Sequence, residues 1–485
     1  MTAPTPRVPW LSAAHRSSEW AQLHVVVAGL GVSGFAAADA LQYLGATVTV
    51  LDDQITATAT DRAVLLEILG VTVRLGPGAT DELPAQADLL VTSPGWPPSA
   101  PLFGVAASRA IPVWGEVELA WRLHDPATPW LCLTGTNGKT TTVQMLEAML
   151  RADGLRAVAA GNVGLPLCQV VMDPEPFDVV AVELSSYQLH WTHSMSAQAS
   201  AVLNVAPDHL SWHGDIDRYT EAKGKIYQNA QLACVYNVED PKTRELVEAA
   251  EVVEGCRAIG FTLAIPSVGM VGVVDDVIAD RAFIPGRERN AAELARVSDV
   301  ATGAPHNVAN ALAAAALARA HGVSTGAVLR GLRSFTLDEH RISTVATVAG
   351  ITYVDDSKAT NPHAALASLR SFGSTVWIAG GLAKGAAFDE LVSSAAGRLQ
   401  GVVLLGADQG LIASALARHA PDVPVIAVPD VDTGVMERVV SAAASLARAG
   451  DTVLLAPACA SFDLFANYSA RGDAFVAAVE RLRRR

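Results

Sequence analysis

Residues Thr134–Thr141 read TGTNGKTT, a spacing of Gly, Lys and Thr that suits a phosphate. They follow the apolar run Trp130–Leu133 and precede Val143–Leu150, whose pattern predicts a helix. In such a strand–turn–helix, the backbone N–H groups of the turn and the positive end of the helix dipole face an anion. Lys139 is placed for the β/γ-phosphates of a nucleoside triphosphate and the Thr140 hydroxyl for Mg²⁺. The standard pattern has a Gly six residues before the Lys. Leu133 stands there, so the loop is of a shorter kind. A plain strand–turn–helix corner is the bland alternative.

Phosphoryl chemistry calls for a metal, and Mg²⁺ prefers oxygen ligands together with waters. Glu183 leaves an apolar strand, where a carboxylate is costly unless it coordinates or pairs. Thr140, Glu183 and His209 are the candidate ligands, against the readings of a structural acid and an ordinary loop histidine. The chain has 35 basic residues but only six lysines: Lys139, Lys223, Lys225, Lys242, Lys358 and Lys384. Lys can react as an amine or act as a compact charge on phosphate, and Arg does neither in the same way. Lys358 and Lys384 sit where they could bind carboxylate or phosphate, whereas Lys225 and Lys242 read as surface residues.

The elements that must position these groups fall into three segments. The first opens with strand His24–Ala28, then GLGVSG at Gly29–Gly34, a helix, and a second strand ending at Asp52 and Asp53. This resembles a dinucleotide fingerprint, although such turns also serve other nucleotides. A later strand, Asp88–Thr92, runs into SPGWPP, a turn past a strand's carboxyl end. The second segment carries the phosphate loop, GNVG at Gly161–Gly164, and strand Val179–Val182 running into ELSSYQL. Strand Ala201–Val205 then runs into APDHLSWHG, followed by the helical pattern Arg218–Tyr227. Residues 261–304 show no clear pattern before an Ala-rich helix, His306–Gly322. The third segment alternates strands and helices again, with DDSKATNP at Asp355–Pro362, GGLAKG at Gly380–Gly385 and a closing Ala456–Phe475 segment. The expected fold class is α/β, with a Rossmann-like unit at each end of a mostly parallel, phosphate-loop sheet. The expected boundaries are 1–117 (with 1–23 as an extension), 118–337 and 338–485.

Composition narrows the function classes. A net charge of −14 disfavours nucleic acid. No apolar run reaches the length of a membrane span, and the N-terminus has no apolar signal core, so a cytoplasmic protein is expected. Five scattered cysteines without a CxxC pair suggest neither zinc nor a disulfide framework.

The ordered set GTNGKTT, GNVG, ELSSYQL, DH, RYxxAK, HNxxNxxAA, HR, DDSKATNP, GGxxKG and PACASFDxFxNYxxRG resembles the Mur ligase family from about residue 24 onward. The resemblance implies an ATP-dependent amide ligase that adds D-glutamate to UDP-N-acetylmuramoyl-L-alanine through an acyl phosphate. Another Mur-type or a folylpolyglutamate-type ligase is the alternative within that class. A nicotinamide dehydrogenase and a non-catalytic ATP switch are the readings outside it. By the same resemblance Gly135, Thr136, Asn137, Gly138, Lys139, Thr140 and Thr141 form the ATP loop, and Asn307 and Asn310 are adenine-side contacts. Arg341 and Asp356 become phosphate and ribose contacts. Two Mg²⁺ ions are implied, one on Thr140 and Glu183, the other near His209. Lys223 is implied to be carbamylated by CO₂, giving an acid-like Mg²⁺ ligand. Val32, Ser33, Asp52, Asp53, Ser93, Pro94, Gly95, Asn162 and His209 are implied in the UDP-linked substrate site. Thr360, Lys384, Ser461 and Tyr468 are implied in the D-glutamate pocket. A monomer, open before its ligands bind, is expected. The chain departs from the pattern in its extension before residue 24, at Gln54 where Arg or Lys is expected, and at Tyr468 where Phe is expected. No motif of the family matches residues 261–304.

Overall fold

Parallel strands buried on both faces should read as near-continuous apolar runs, and those of this chain do. A computed structural model describes residues 8–337, 339–429 and 434–484, so Asp338, at one expected boundary, lies outside the described residues. Three sheets form.

The first sheet contains β1 (His24–Ala28), β2 (Thr47–Asp52), β3 (Thr72–Leu75), β4 (Leu89–Thr92) and β5 (Val113–Gly115). Their order is β3-β2-β1-β4-β5, all parallel. The order reverses between β1 and β4, so the turns after these two strands flank the crevice where open α/β sheets bind ligands. The Gly-rich turn follows β1, and Ser93–Gly95 follow β4.

The central sheet contains β6 (Trp130–Thr134), β7 (Ala157–Gly161), β8 (Val179–Glu183), β9 (Ala199–Val202), β10 (Ala233–Asn237), β11 (Arg257–Phe261), β12 (Met270–Val274), β13 (Val277–Asp280) and β14 (Ala292–Arg296). They run in the order β14-β13-β12-β11-β10-β9-β6-β8-β7. Strands β7 to β12 are parallel, and the edge formed by β12, β13 and β14 is antiparallel. That edge is where the sequence pattern fades, because short edge strands need only one apolar face. β9 ends at Val202, three residues before the expected end, so Asp208 and His209 lie well past it.

Helix Pro305–His321 is almost entirely buried along its Ala run. Gly331, in helix Thr325–Ser334, lies against the backbone of Met149 so closely that a Cβ would collide with it. This close crossing sets the back wall of the helix that starts at Lys139.

The third sheet contains β15 (Ser343–Val348), β16 (Ile351–Asp355), β17 (Thr375–Gly380), β18 (Leu399–Leu405), β19 (Val425–Ala427) and β20 (Thr452–Leu455), in the order β15-β16-β20-β17-β18-β19. Only the β15–β16 pair is antiparallel.

The chain divides into two compact units. One holds the first two sheets, with residues up to Val205, Trp212–Gly303 and Asn307–Phe335. The other holds the third sheet, with Ala206–Ser211, Ala304–His306 and residues from Thr336 onward.

The extension is part of the first unit. Trp20 is buried edge-on to Trp10 at 5.9 Å and to Trp114 at 6.5 Å. The Arg122 guanidinium donates to the carbonyls of Leu11 and Ser12. Among the described residues no helix is long and apolar enough to cross a membrane.

Candidate functional site

The phosphate loop begins where β6 ends. Thr134 Oγ1 donates to the Leu184 carbonyl at 2.7 Å, tying the loop's base to the segment after β8. Gly138 caps the helix Lys139–Ala152 with φ of +84°, and Asn310 Oδ1 occupies the space a Cβ would need. Both the conformation and the close approach therefore call for Gly. Asn204 clamps the turn from the other side: its Oδ1 accepts the Asn137 N–H at 2.8 Å and its Nδ2 donates to the Asn137 carbonyl at 3.0 Å. The Thr136 N–H donates to the Asn204 carbonyl at 2.9 Å. Thr136 Oγ1 and the Tyr219 hydroxyl are 2.9 Å apart. Lys139 Nζ folds over the loop and donates to the carbonyls of Gly135 and Thr136 at 3.0 Å each. Thr140 and Thr141 start the helix behind it.

Register places the acid. Leu133 pairs with Glu183 across β6 and β8, so Glu183 emerges beside the loop's root. It is 1% exposed. Its Oε1 accepts the Asn162 side-chain amide at 2.7 Å, and its Oε2 has no hydrogen-bond partner. Asn162 is delivered by Gly161, whose φ of +106° and contact with the Glu183 carbonyl exclude a side chain. A buried carboxylate oxygen without a donor is costly unless a cation or donor meets it. A buried oxygen ligand at the root of a phosphate loop whose helix begins with Lys139 and Thr140 fits Mg²⁺, which takes one or two protein oxygens and completes its shell with phosphates and waters. Among the described residues no group of three or more His, Cys, Asp or Glu could hold a metal unaided.

Lys223 is the other buried group here. Tyr219 and Lys223 are four residues apart in helix Ile216–Gly224 and share a face. Lys223 Nζ donates to the Gly135 carbonyl at 2.8 Å and lies 3.5 Å from Thr134 Oγ1 and 4.6 Å from the Tyr219 ring centroid. Asn310 Nδ2 reaches Asn307 Oδ1 at 3.4 Å, and Asn307 Nδ2 donates to Thr302 Oγ1 at 2.9 Å. Lys225 corrects the expectation of a surface lysine. It is partly buried, donates to the His190 carbonyl at 2.8 Å, and burial lowers its pKa.

At the first sheet's switch point the acids hold the turns. Asp52 accepts the N–H groups of Leu30 at 2.7 Å and Gln54 at 2.9 Å. Asp53 accepts the Thr80 N–H at 3.1 Å and its hydroxyl at 2.6 Å. Ser93 Oγ donates to the Gly29 carbonyl at 3.2 Å, joining the two turns. Val32 and Ser33 begin helix Val32–Tyr43, whose N-terminus carries no side-chain cap, and Pro94 and Gly95 continue the second turn. The N–H groups of that helix start are available to an anion.

In the C-terminal unit three loops at the carboxyl edge of the third sheet are knitted by backbone bonds. Ala458 N–H donates to Ala359, Gly380 N–H to Pro457, and Leu382 and Ala460 form a bridge. These bonds bring together the segments bearing Thr360, Lys384 and Ser461. Tyr468 joins them through its carbonyl, which accepts Ser357 Oγ at 2.7 Å, and through its ring, 3.8 Å from Lys358 Nζ. Lys384 is exposed with φ of +50°, and its ammonium lies 5.2 Å from the Phe462 ring centroid. Asp356 is buried and bonded to the Ser368 hydroxyl; burial raises its pKa to about 6, against the nearby Arg341 charge.

Arg471, which sequence reading passed over except as part of a motif, is 1% exposed and braces these loops. It donates to Ser357 Oγ, the Ser357 carbonyl and the Cys459 carbonyl, and burial lowers its pKa to about 10. His209 falls within the short segment that groups with this unit. It has φ of +54°, and its Nε2 is 3.6 Å from Asp208 Oδ2. Asn204 carried no signal in the sequence, since it falls inside the expected strand Ala201–Val205; the strand ends at Val202 and leaves it in the following turn.

Comparison with known proteins places this geometry among relatives. Three family models match in order: the N-terminal domain of MurD-like Mur ligases over residues 23–115, the Mur ligase middle domain over 133–318, and the Mur ligase glutamate ligase domain over 340–459. The chain is 60% identical to the UDP-N-acetylmuramoylalanine--D-glutamate ligase of Streptomyces avermitilis, covering 96% of this chain and 99% of the relative. It is 54% identical to the enzyme of that name from Thermobifida fusca, covering 94% and 98%. A pseudomurein peptide ligase type C from Methanothermus fervidus shares the fold, with a TM-score of 0.57 at 18% identity over 95% of this chain and 100% of that one.

Proposed function

Given that the chain belongs to the Mur ligase family, we propose that it joins D-glutamate to the carboxylate of UDP-N-acetylmuramoyl-L-alanine at the expense of ATP, in peptidoglycan precursor synthesis. The nucleotide chemistry rests on one observation, the buried Glu183 oxygen without a partner beside a lysine-bearing phosphate loop. The identity of the amino acid rests on the names of the relatives. A dehydrogenase reading of GLGVSG accounts for neither.

The course of the reaction is the one the family resemblance implies, with these residues in the parts it assigns. The loop amides and Lys139 bind the β- and γ-phosphates and counter the charge on the transferring phosphoryl group. The alanyl carboxylate oxygen attacks the γ-phosphorus, the bond to the β-phosphate oxygen breaks, and ADP leaves with an acyl phosphate remaining. The D-glutamate amine then attacks the acyl carbon, loses a proton and expels inorganic phosphate. Thr140 and Glu183 would hold Mg²⁺, which when bound neutralises phosphate charge. Positioning of the reacting atoms is the main contribution of the remaining residues.

In this reading Asn162 meets the muramoyl part of the substrate, and the turns around Val32, Ser33 and Ser93–Gly95 take the UDP. Asn307 and Asn310 lie on the adenine side. Arg341 and Asp356 contact phosphate and ribose, and Thr360, Lys384, Ser461 and Tyr468 take D-glutamate. His209 would hold a second Mg²⁺ and contact the muramoyl substrate. Lys223 is carbamylated, a role supported by its burial at the root of the loop and by an amine's reactivity toward CO₂. A cytoplasmic monomer with domains 1–117, 118–337 and 338–485 completes the proposal; each family match falls within one of those spans.

The test is ADP release from the full chain with ATP, Mg²⁺ and UDP-N-acetylmuramoyl-L-alanine, comparing D-glutamate with L-glutamate, glycine and L-lysine. ADP should form with D-glutamate alone. Equal turnover with another amino acid, or none with D-glutamate, overturns the reading.

A further inference from the structure

The first sheet's site must hold a diphosphate with very little positive charge. Residues 24–115 contain three basic side chains, Arg62, Arg74 and Arg109, no lysine, and eight acids. Helix N-terminal amides supply about half a charge, short of what a diphosphate carries.

Two of the three arginines are placed elsewhere. Arg109 donates to the carbonyls of Leu83, Pro84 and Ala85, in the segment that enters β4 at the sheet's amino edge. Arg74 is exposed on the outermost strand, β3.

Arg62 differs. It lies on helix Ala57–Ile68, which follows the carboxyl end of β2, and its Nη1 donates to the Leu30 carbonyl at 3.1 Å, inside the Gly-rich turn. The same residue's N–H is held by Asp52. Leu30 is thus pinned from both sides, and the pin carries the guanidinium to the crevice. Among the described residues the Arg62 side chain makes no other hydrogen bond and no ion pair, so most of its five-donor fork is uncommitted to protein. Gln54, the side chain following the two strand-end acids, is neutral.

We propose that Arg62 is the cation that grips the diphosphate of the UDP-linked substrate and sets preference for phosphorylated over unphosphorylated uridine. The proposal rests on the reading of this sheet as the UDP site. A guanidinium suits the task because its planar fork matches two phosphate oxygens at once.

The experiment uses the full chain, its Arg62→Gln variant and its Arg62→Lys variant. Binding of UDP and of uridine is followed by calorimetry, and KM is measured for UDP-N-acetylmuramoyl-L-alanine, ATP and D-glutamate. Loss of a charge-assisted contact should weaken UDP binding roughly tenfold or more in Arg62→Gln. Uridine binding should stay the same, KM for the UDP-linked substrate should rise in step, and the other two KM values should hold within about twofold. Arg62→Lys should fall between, since it keeps a point charge without the fork and preserves a donor for Leu30 if the glutamine variant folds poorly. Unchanged UDP affinity, or an equal fall for UDP and uridine, overturns the role of Arg62 and leaves the UDP site standing. A wild-type chain that turns over ATP without binding UDP or its conjugate overturns the site itself, and Arg62 with it.

Discussion

The molecule has two glycine-rich turns of similar shape with opposite chemistry. Both follow a buried parallel strand and open a helix, one after β1 and one after β6. After β1 the neighbouring carboxylates are committed to protein: Asp52 to Leu30 and Gln54, Asp53 to Thr80. After β6 the neighbouring carboxylate, Glu183, keeps one buried oxygen without a partner. The first turn has an arginine from the following helix, and the second has a lysine of its own and a second buried lysine at its root. A turn that binds should satisfy its own polar groups so that the ligand only adds contacts. A turn that catalyses should leave a group whose demand is met when the reacting ligand and its metal arrive.

The sharpest attempt to break this contrast is Lys223→Ala. Activity should fall almost to nothing and return in part when a short carboxylic acid is added, because the acid can stand in for a carbamate. Full activity without the acid would remove Lys223 from the chemistry.

Next come paired substitutions of the strand-end acids. Losing even a group that only orients a metal's ligands costs about 10–100-fold, so removing the carboxylate proposed to hold the metal, Glu183→Gln, should reduce kcat on the order of a hundredfold or more, with a weaker response to Mg²⁺. Asp52→Asn should leave kcat near wild type, raise KM for the UDP-linked substrate, and lower stability by about 1–3 kcal/mol because one turn N–H loses its acceptor. Similar kcat losses in both variants would erase the distinction between a binding turn and a catalytic one.

The smallest effect concerns a third acid at a strand end. Glu116 follows β5, is buried, and accepts the Cys168 N–H at 2.6 Å; burial raises its pKa to about 7. A carboxyl whose folded pKa lies above its unfolded value favours the fold while protonated. Stability of the first unit should therefore decline as pH rises from about 4.5 to about 7, by about 2–3 kcal/mol at most. Urea titrations across that range should show the decline in wild type and a flatter profile in Glu116→Gln. Equal profiles would show that burial does not disfavour the ionised form of Glu116.

Much of the architecture was legible because its signals are local. Strand β1 falls where its apolar run predicts, and the helix after the phosphate loop extends to Lys139 because Gly138 can adopt the cap conformation. The blurred region 261–304 is an antiparallel edge, where burial on one face leaves too little apolar pattern to read. β9 ended early, and Asn204, just beyond it, became a clamp on the phosphate loop. Lys225 looked like a surface residue because nothing in sequence announces the His190 carbonyl that holds it.

The sequence by itself determined the order of turns, the residues able to meet phosphate, and the scarcity of lysine, since each depends on neighbours within a few positions. Only the tertiary structure decided which acid is satisfied and which is not. That outcome depends on the β6–β8 register beside Glu183, on Asn162 arriving from β7, and on Arg62 reaching back from a helix thirty-two positions beyond Leu30. Hydrogen-bond partners of buried groups come from strands and helices distant along the chain, so their presence or absence is a property of packing.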